Sequence, residues 1–195
     1  MFKIISFLSL IHIFAAGDEI RVVSPWRAAV ITVSDKGARG QRRDESGPLA
    51  CQMLEEAGFA VVEQLMLPDE REQLSQAMRR LCDEALCELI VTTGGTGFAP
   101  RDQTPEATLD VIERLTPGIP EAMRLYSLQV TKRAMLSRAV AGIRGRTLII
   151  NLPGSPKAVR ENLAVVLPEL GHGLSVLVGE GGDCAQEAQI GRAHV

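Results

Sequence analysis

Only 4% of the 195 residues are aromatic, with one tryptophan and one tyrosine. A core built from this chain therefore has to come mainly from Leu, Val, Ile and Ala. Cysteine and histidine are sparse as well. Cys51, Cys82, Cys87 and Cys184 contain no C-x-x-C pair, and His12, His172 and His194 are scattered. Such spacing supports neither a zinc site nor a disulfide framework, and it points to a reducing compartment. Cys51 and Cys82 fall on apolar helix positions, where free thiols are buried. The chain also lacks a net basic charge: its formal value is −3. A general nucleic-acid binder needs a basic face, so that class is excluded. No internal repeat or low-complexity linker divides the interior.

What is present suits one globular domain: 46% hydrophobic and 23% charged residues in a chain of this length. Charge is unevenly spread. No acidic residue lies between Glu121 and Glu161, a span that holds Arg124, Lys132, Arg133, Arg138, Arg144, Arg146, Lys157 and Arg160. Two readings stand, a solvated basic face or a surface turned toward an anionic small molecule. The first residues, MFKIISFLSLIHIFAAG, carry a lysine and then an apolar run from Ile4 to Ala16. That run has the shape of a weak secretory signal and is too short to span a bilayer comfortably. The division expected is an extension over 1–26, a domain over 27–180 and a tail over 181–195. Both ends read as additions to the domain, and residues 1 to about 24 are expected to be dispensable.

Inside the domain, strand and helix signals alternate. AAVITVSD is a β-branched run that reads as a buried strand. Ser46 is placed to cap a helix carrying Leu49, Ala50, Met53, Leu54 and Ala57, with Gly58 as its stop. FAVVEQLM is a second strand ending at Pro68. Leu74, Ala77, Met78, Leu81, Cys82 and Ala85 then follow one helical face. CELIVTT is a short continuous apolar strand of the kind buried on both faces. Thr104 is read as the cap of a helix opened by Pro105, with Leu109, Ile112 and Leu115 along it. TPGIPEAMR opens a helix toward Gln129. TLIINLP is a late strand, followed by Ser155 as cap and a helix from Pro156 through Leu167. This order implies a mostly parallel sheet with helices on both faces, an α/β fold in three layers.

Ligands in such sheets sit outside the carboxyl ends of the strands. Three loops fall there: SDKGARG with Ser34 and Asp35, GGTG after the third strand, and NLPGSP before the last helix. Gly94, Gly95 and Gly97 can turn backbone N–H groups toward an anion, and Thr96 adds a hydroxyl. The run is neither a Walker A loop nor a dinucleotide fingerprint, because Pro100 stands where a third glycine would be needed. A glycine-rich turn also has a purely structural explanation; Arg101, Asp102 and Thr104 in the same loop favour a ligand. PGSP offers a second anion site at a helix N-terminus, or an ordinary capped helix. Asp69 is either a helix cap before EREQL or a partner of Asp102. As partners, the two carboxylates would repel a bound phosphate unless Mg²⁺ joined them.

Six stretches, ITVSD, LPDE, TTGGTGFAPRDQTPEAT, PGIPEAMR, LSRAVAG and NLPGSPKA, occur in that order across roughly residues 28 to 170. Together they resemble the molybdopterin adenylyltransferases of the Mog and MoaB type, in molybdenum cofactor biosynthesis, related to the G domain of plant Cnx and animal gephyrin. The resemblance implies a three-layer α/β/α sandwich in a cytoplasmic homotrimer or hexamer. It also implies transfer of AMP from Mg-ATP to molybdopterin with release of pyrophosphate. Asp69 and Asp102 fall on the family's motif acids, as catalytic and Mg²⁺-binding residues. Nucleotide and pterin contacts would come from Ser34, Asp35, Thr93, Gly94, Gly95, Thr96, Gly97, Arg101, Glu121, Ser137, Arg138, Pro153, Gly154 and Ser155. The pathway's molybdenum-inserting enzyme is a further implied partner, with neither nucleic acid nor membrane involved. The alternative is a catalytically silent molybdopterin-binding or scaffold protein of the same fold.

Overall fold

The computed structural model describes residues 25–179. The expected extension lies outside the described residues apart from Pro25 and Trp26, and the expected tail lies wholly outside them. The strands are β1 (Arg27–Val33), β2 (Ala60–Leu67), β3 (Leu89–Thr93), β4 (Arg114–Leu115), β5 (Ala141–Arg144) and β6 (Thr147–Leu152). The helices are α1 (Asp35–Ala38), α2 (Ser46–Glu56), α3 (Arg71–Asp83), α4 (Thr104–Leu109), α5 (Gly118–Val130) and α6 (Pro156–Leu177), with a 3₁₀ turn over Lys132–Leu136. One sheet runs β2-β1-β3-β6-β5-β4. The first four strands are parallel, and β5 and β4 are added antiparallel.

The β-branched runs are buried on both faces, and alternate residues feed two cores. Ala28, Val30, Leu89, Val91, Ile150 and Leu152 pack with Leu54 of α2, Met123 of α5 and Leu163 of α6. Ala29, Ile31, Ile90 and Ile149 face the opposite way, against Leu74, Met78 and Leu81 of α3 and Ala107 beside them. Helices thus cover both faces of the sheet, and the expected three-layer sandwich is what forms. The small aromatic content is met by aliphatic packing; Cys51 and Cys87 are buried and Cys82 half-buried, all as free thiols.

Several local expectations are corrected. Ser46 does not cap α2. Asp44 does so from two residues earlier, its Oδ1 accepting from the N–H groups of Ser46 and Gly47 at 3.0 Å each. Thr104 is not the cap of α4 either: it is the first helical residue, and Gln103 stands before it. Leu115 leaves that helix for β4. Helix α6 passes Pro168 and continues to Leu177. Losing one N–H at Pro168 is outweighed because Leu163, Val166, Leu170 and Leu174 keep one face on the core.

Consecutive elements reverse direction across the sheet between β1 and β3, because β1 leads to β2 on one side while β3 leads toward β6 on the other. Ligands of open α/β sheets bind at such a switch point. Four loops converge there: after β1, after β2, after β3 and after β6.

Candidate active site

Close packing shapes the loop after β3 at Gly94 and Gly95. Gly94 has φ of +104°, and a Cβ there would lie 2.3 Å from the Val33 carbonyl oxygen. Its N–H is spent on the Leu152 carbonyl at 3.2 Å. Gly154, on the loop after β6, approaches so closely that its Cβ would sit 3.1 Å from the Gly94 Cα. Gly95 has φ of +63°, and a Cβ there would meet Thr104 Oγ1 at 2.3 Å and Asp69 Oδ1 at 3.0 Å. These contacts bring the loops of β1, β3 and β6 into one wall.

On one side of that wall lies a polar cavity of about 320 Å³. Asp69 and Asp102 both line it, with Ser34, Thr93, Gly94, Gly95, Gly154 and Ser155. Asp69 is positioned by a reciprocal exchange: Asp35 N–H donates to Asp69 Oδ2 at 2.9 Å, and Asp69 N–H donates to Asp35 Oδ1 at 3.2 Å. Asp69 is therefore not a helix cap. Glu70 holds that place before α3, without a side-chain bond to it. Burial pushes the Asp69 carboxyl above its ordinary value; the Asp35 N–H pulls it back, and the Asp35 and Asp102 carboxylates raise it again. Asp102 Oδ2 accepts from the Ala99 N–H at 2.9 Å, which shapes the turn below the glycines. Among the described residues neither Asp69 nor Asp102 is in a salt bridge.

The donor set fits Mg²⁺. No group of three or more His, Cys, Asp or Glu side chains gathers among the described residues. Mg²⁺ characteristically needs only one or two protein carboxylates, with waters and substrate phosphates supplying the rest. The raised carboxyl of Asp69 and its neighbour Asp102 are the pair such a cation would satisfy. The Thr104 hydroxyl lies outside the lining of this cavity. It is fully buried beside Asp69 and Gly95, yet has no hydrogen-bond partner.

Thr96 and Gly97 of the loop after β3 and Pro153 of the loop after β6 line a second cavity, of about 280 Å³. Its lining is largely apolar, with Pro120, Met123, Leu136, Ala139 and Pro153, and polar groups from Thr96, Ser127, Ser137 and Asn162. Arg124 and Arg133 reach its rim. Part of the acid-free segment thus faces a cavity, while Arg144 in the same segment is turned away and paired with Asp83.

Over residues 29–172 the chain matches the profile of a family described as a probable molybdopterin binding domain. It belongs to that family. The chain is 42% identical over 152 residues to the molybdopterin adenylyltransferase of Helicobacter pylori strain J99, covering 77% of this chain and 86% of that one. It is 44% identical over 162 residues to gephyrin of Dictyostelium discoideum, covering 78% of this chain and 22% of gephyrin. The crystal structure of the molybdopterin biosynthesis enzyme MoaB from Thermus thermophilus superposes with a TM-score of 0.75 and 49% identity, over 79% of this chain and 97% of that one. The family expected from the six motifs is therefore the right one.

Within this molybdopterin-binding domain, the residues singled out from sequence divide into three groups. Ser34, Asp69, Thr93, Gly94, Gly95, Asp102, Gly154 and Ser155 line the polar cavity. Thr96, Gly97, Ser137 and Pro153 line the apolar one. Asp35, Arg101, Arg138 and Glu121 line neither. Arg101 lies across Asp35, with Nε and Nη2 at 3.1 and 2.9 Å from its carboxylate, and Nη2 at 2.8 Å from Glu70. Arg101 holds the Asp35 carboxyl below its usual range. Arg138 clasps the glycine loop: its Nε donates to the Gly97 carbonyl at 2.6 Å and its Nη2 to the Asp102 carbonyl at 2.5 Å, beside an ion pair with Glu106. Both arginines brace the loops that form the site. Glu121 is exposed in the first turn of α5.

Other cavity residues escaped sequence reasoning. Thr32, Arg42, Arg43, Asp44, Glu45, Ser46 and Met66 also line the polar cavity. The available signal was the charged run RRDES directly ahead of α2. Asp44 is occupied there, since Thr32 Oγ1 donates to its Oδ2 at 2.7 Å. Ser46 Oγ donates to the Gly154 carbonyl at 2.8 Å and ties the loop ahead of α2 to the loop after β6.

Proposed function

We propose that this protein is a molybdopterin adenylyltransferase, which transfers AMP from ATP to the terminal phosphate of molybdopterin and releases pyrophosphate. The observation that carries the reading is a pair of cavities of opposite character lined by neighbouring residues of the same two loops, after β3 and after β6. A two-substrate transfer needs two adjacent subsites, and the proposal assigns the nucleotide to the polar one and the flat pterin to the apolar one. The adenylyltransferase of Helicobacter pylori, alike over most of both chains, supports the same activity.

In the reaction, an oxygen of the pterin phosphate forms a bond to the α-phosphorus of ATP. The bond to the bridging oxygen breaks, and the electron pair leaves with pyrophosphate. Positioning and charge stabilisation carry most of such a transfer. Asp69 and Asp102 would hold Mg²⁺, which neutralises charge on the phosphates when bound. Asp35 and Arg101 fix Asp69, Arg138 fixes the wall, and Ser155 and Pro156 at the start of α6 line the polar cavity.

The same reading includes a cytoplasmic homotrimer that hands its product to the molybdenum-inserting enzyme. Buried free thiols support a reducing compartment. Exposed Leu125, Val130, Met135 and Leu136 on α5 and the turn after it support burial between copies. No helix among the described residues is long and apolar enough to cross a membrane. The deciding experiment incubates purified protein with molybdopterin and Mg-ATP and analyses the mass of the pterin. Adenylated pterin with stoichiometric pyrophosphate is expected. Tight pterin binding with no adenylated product would instead establish the silent binding protein.

A further inference from the structure

The motif arginine nearest the glycine loop is not available to a phosphate in the polar cavity. Arg101 is committed to Asp35 and Glu70, and Arg138 to Glu106 and two loop carbonyls. Yet the cavity assigned to the nucleotide contains the carboxylates of Asp69 and Asp102, with Asp44 and Glu45 beside them. A triphosphate entering this group meets like charge, and one divalent cation at Asp69 and Asp102 leaves much of it unbalanced. The positive side chains that line the cavity are Arg42 and Arg43. Both are exposed, and neither belongs to any salt bridge of the described residues.

The segment immediately C-terminal to them fixes their placement. Asp44 is anchored on Thr32 of β1 and on the first N–H groups of α2. Gly47 packs so tightly that a Cβ would lie 2.3 Å from Thr32 Oγ1. Ser46 is bonded to Gly154. The residues directly after the arginine pair therefore cannot move far from the cavity mouth, while the two long side chains stay free to close on a ligand.

We propose that Arg42 and Arg43 form a two-arginine clamp on the β- and γ-phosphates of the nucleotide and set its preference for a triphosphate. The proposal rests on assigning the polar cavity to the nucleotide. Guanidinium groups pair with phosphate oxygens through two parallel N–H bonds, so the clamp orients the pyrophosphate that leaves as well as binding it. It acts on the leaving half of ATP and makes no demand on the pterin.

The test compares wild-type protein with Arg42→Gln, Arg43→Gln and the double variant, measuring binding of ATP, ADP and AMP by calorimetry in the presence of Mg²⁺. Each lost charge-assisted contact should weaken ATP binding by roughly tenfold. The double variant should lose most for ATP, less for ADP and almost nothing for AMP. Pterin affinity and the thermal transition should stay at wild-type values. An equal loss for AMP and ATP, or no loss for ATP, would overturn the clamp. Wild-type protein that binds pterin but no nucleotide would overturn the adenylyltransferase reading itself, a result distinct from either outcome in the variants.

Discussion

Replacing Asp102 by asparagine separates the charge of this side chain from its shape. Asp102 shapes its turn through three contacts: its N–H donates to the Ala99 carbonyl at 2.9 Å, its Oδ2 accepts from the Ala99 N–H at 2.9 Å, and its carbonyl accepts from Arg138 at 2.5 Å. The two backbone contacts are indifferent to the substitution. An asparagine oxygen can accept from Ala99 as the carboxylate does. Its amide nitrogen then occupies the remaining position, where it offers donors to a cation that needs an acceptor. Folding stability should accordingly change by no more than about 0.5 kcal/mol, the range of substitutions that break no packing or buried bond. Losing one preorganised electrostatic group costs about 2.7–4 kcal/mol in the transition state, so adenylation should fall by roughly a hundredfold or more. The assay is steady-state pyrophosphate release at saturating pterin across a Mg²⁺ series, with pterin binding measured separately. Unchanged pterin affinity with a collapsed kcat is the expected pattern. Near wild-type turnover in the asparagine variant would refute a metal-holding role for Asp102.

Asp69→Asn should behave differently from Asp102→Asn in the absence of ligands. The folded protein raises the Asp69 carboxyl above its unfolded value, chiefly by burial, so the protonated form is favoured in the native state. The associated stability is present below the unfolded value near about 4 and is lost as pH rises through the folded value. At pH 7 the asparagine variant should therefore melt no lower than wild type, with that advantage shrinking in acid; a variant that melts lower at pH 7 would contradict this. Gly94→Ala combines φ of +104° with a Cβ 2.3 Å from the Val33 carbonyl, so urea denaturation should show a loss of about 1–3 kcal/mol or more. A loss below half a kilocalorie would mean that the loops are not tightly packed. Arg101→Gln frees Asp35 and with it the donor that orients Asp69. Kinetics should show a reduced kcat with ATP affinity nearly intact, and a selective rise in the KM for ATP would place Arg101 on the nucleotide instead.

The layered fold was legible because its signals are strong and local. Continuous apolar strands such as Leu89–Thr93 alternate with amphipathic helices such as Arg71–Asp83, and both patterns are set by burial. The antiparallel edge was not legible. Strand β4 has two exposed residues, Arg114 and Leu115, and carries no periodicity at all. It exists because Arg114 and Leu115 pair with Ile143 and Gly142, a contact between segments far apart in the chain. Caps failed for a related reason. Ser46 and Thr104 look like caps by residue type, but Asp44 had already taken the free N–H groups of α2, and Thr104 is buried beside Asp69.

At the site, the sequence picked out loops and a pair of acids that line one cavity, yet it read Asp35, Arg101, Glu121 and Arg138 all as ligand contacts, and none of these four lines either of the two cavities. Charge in a loop near a ligand can face the ligand or face the loop itself, and residue type does not distinguish the two. Arg101 and Arg138 face the loop, where each neutralises a carboxylate and Arg138 also holds carbonyls left without partners by an irregular backbone. A wall made of glycines has few side chains to brace it, so bracing must come from long side chains reaching in from elsewhere. The arginines nearest the motif are thereby consumed, and the task of meeting substrate charge passes to residues outside it. Arg42 and Arg43 stand at the polar cavity without such obligations. Motif membership thus does not separate residues that brace the wall, such as Arg101 and Arg138, from residues that line the cavity, such as Asp69 and Asp102, and unpaired charge at the cavity adds Arg42 and Arg43 to the second group.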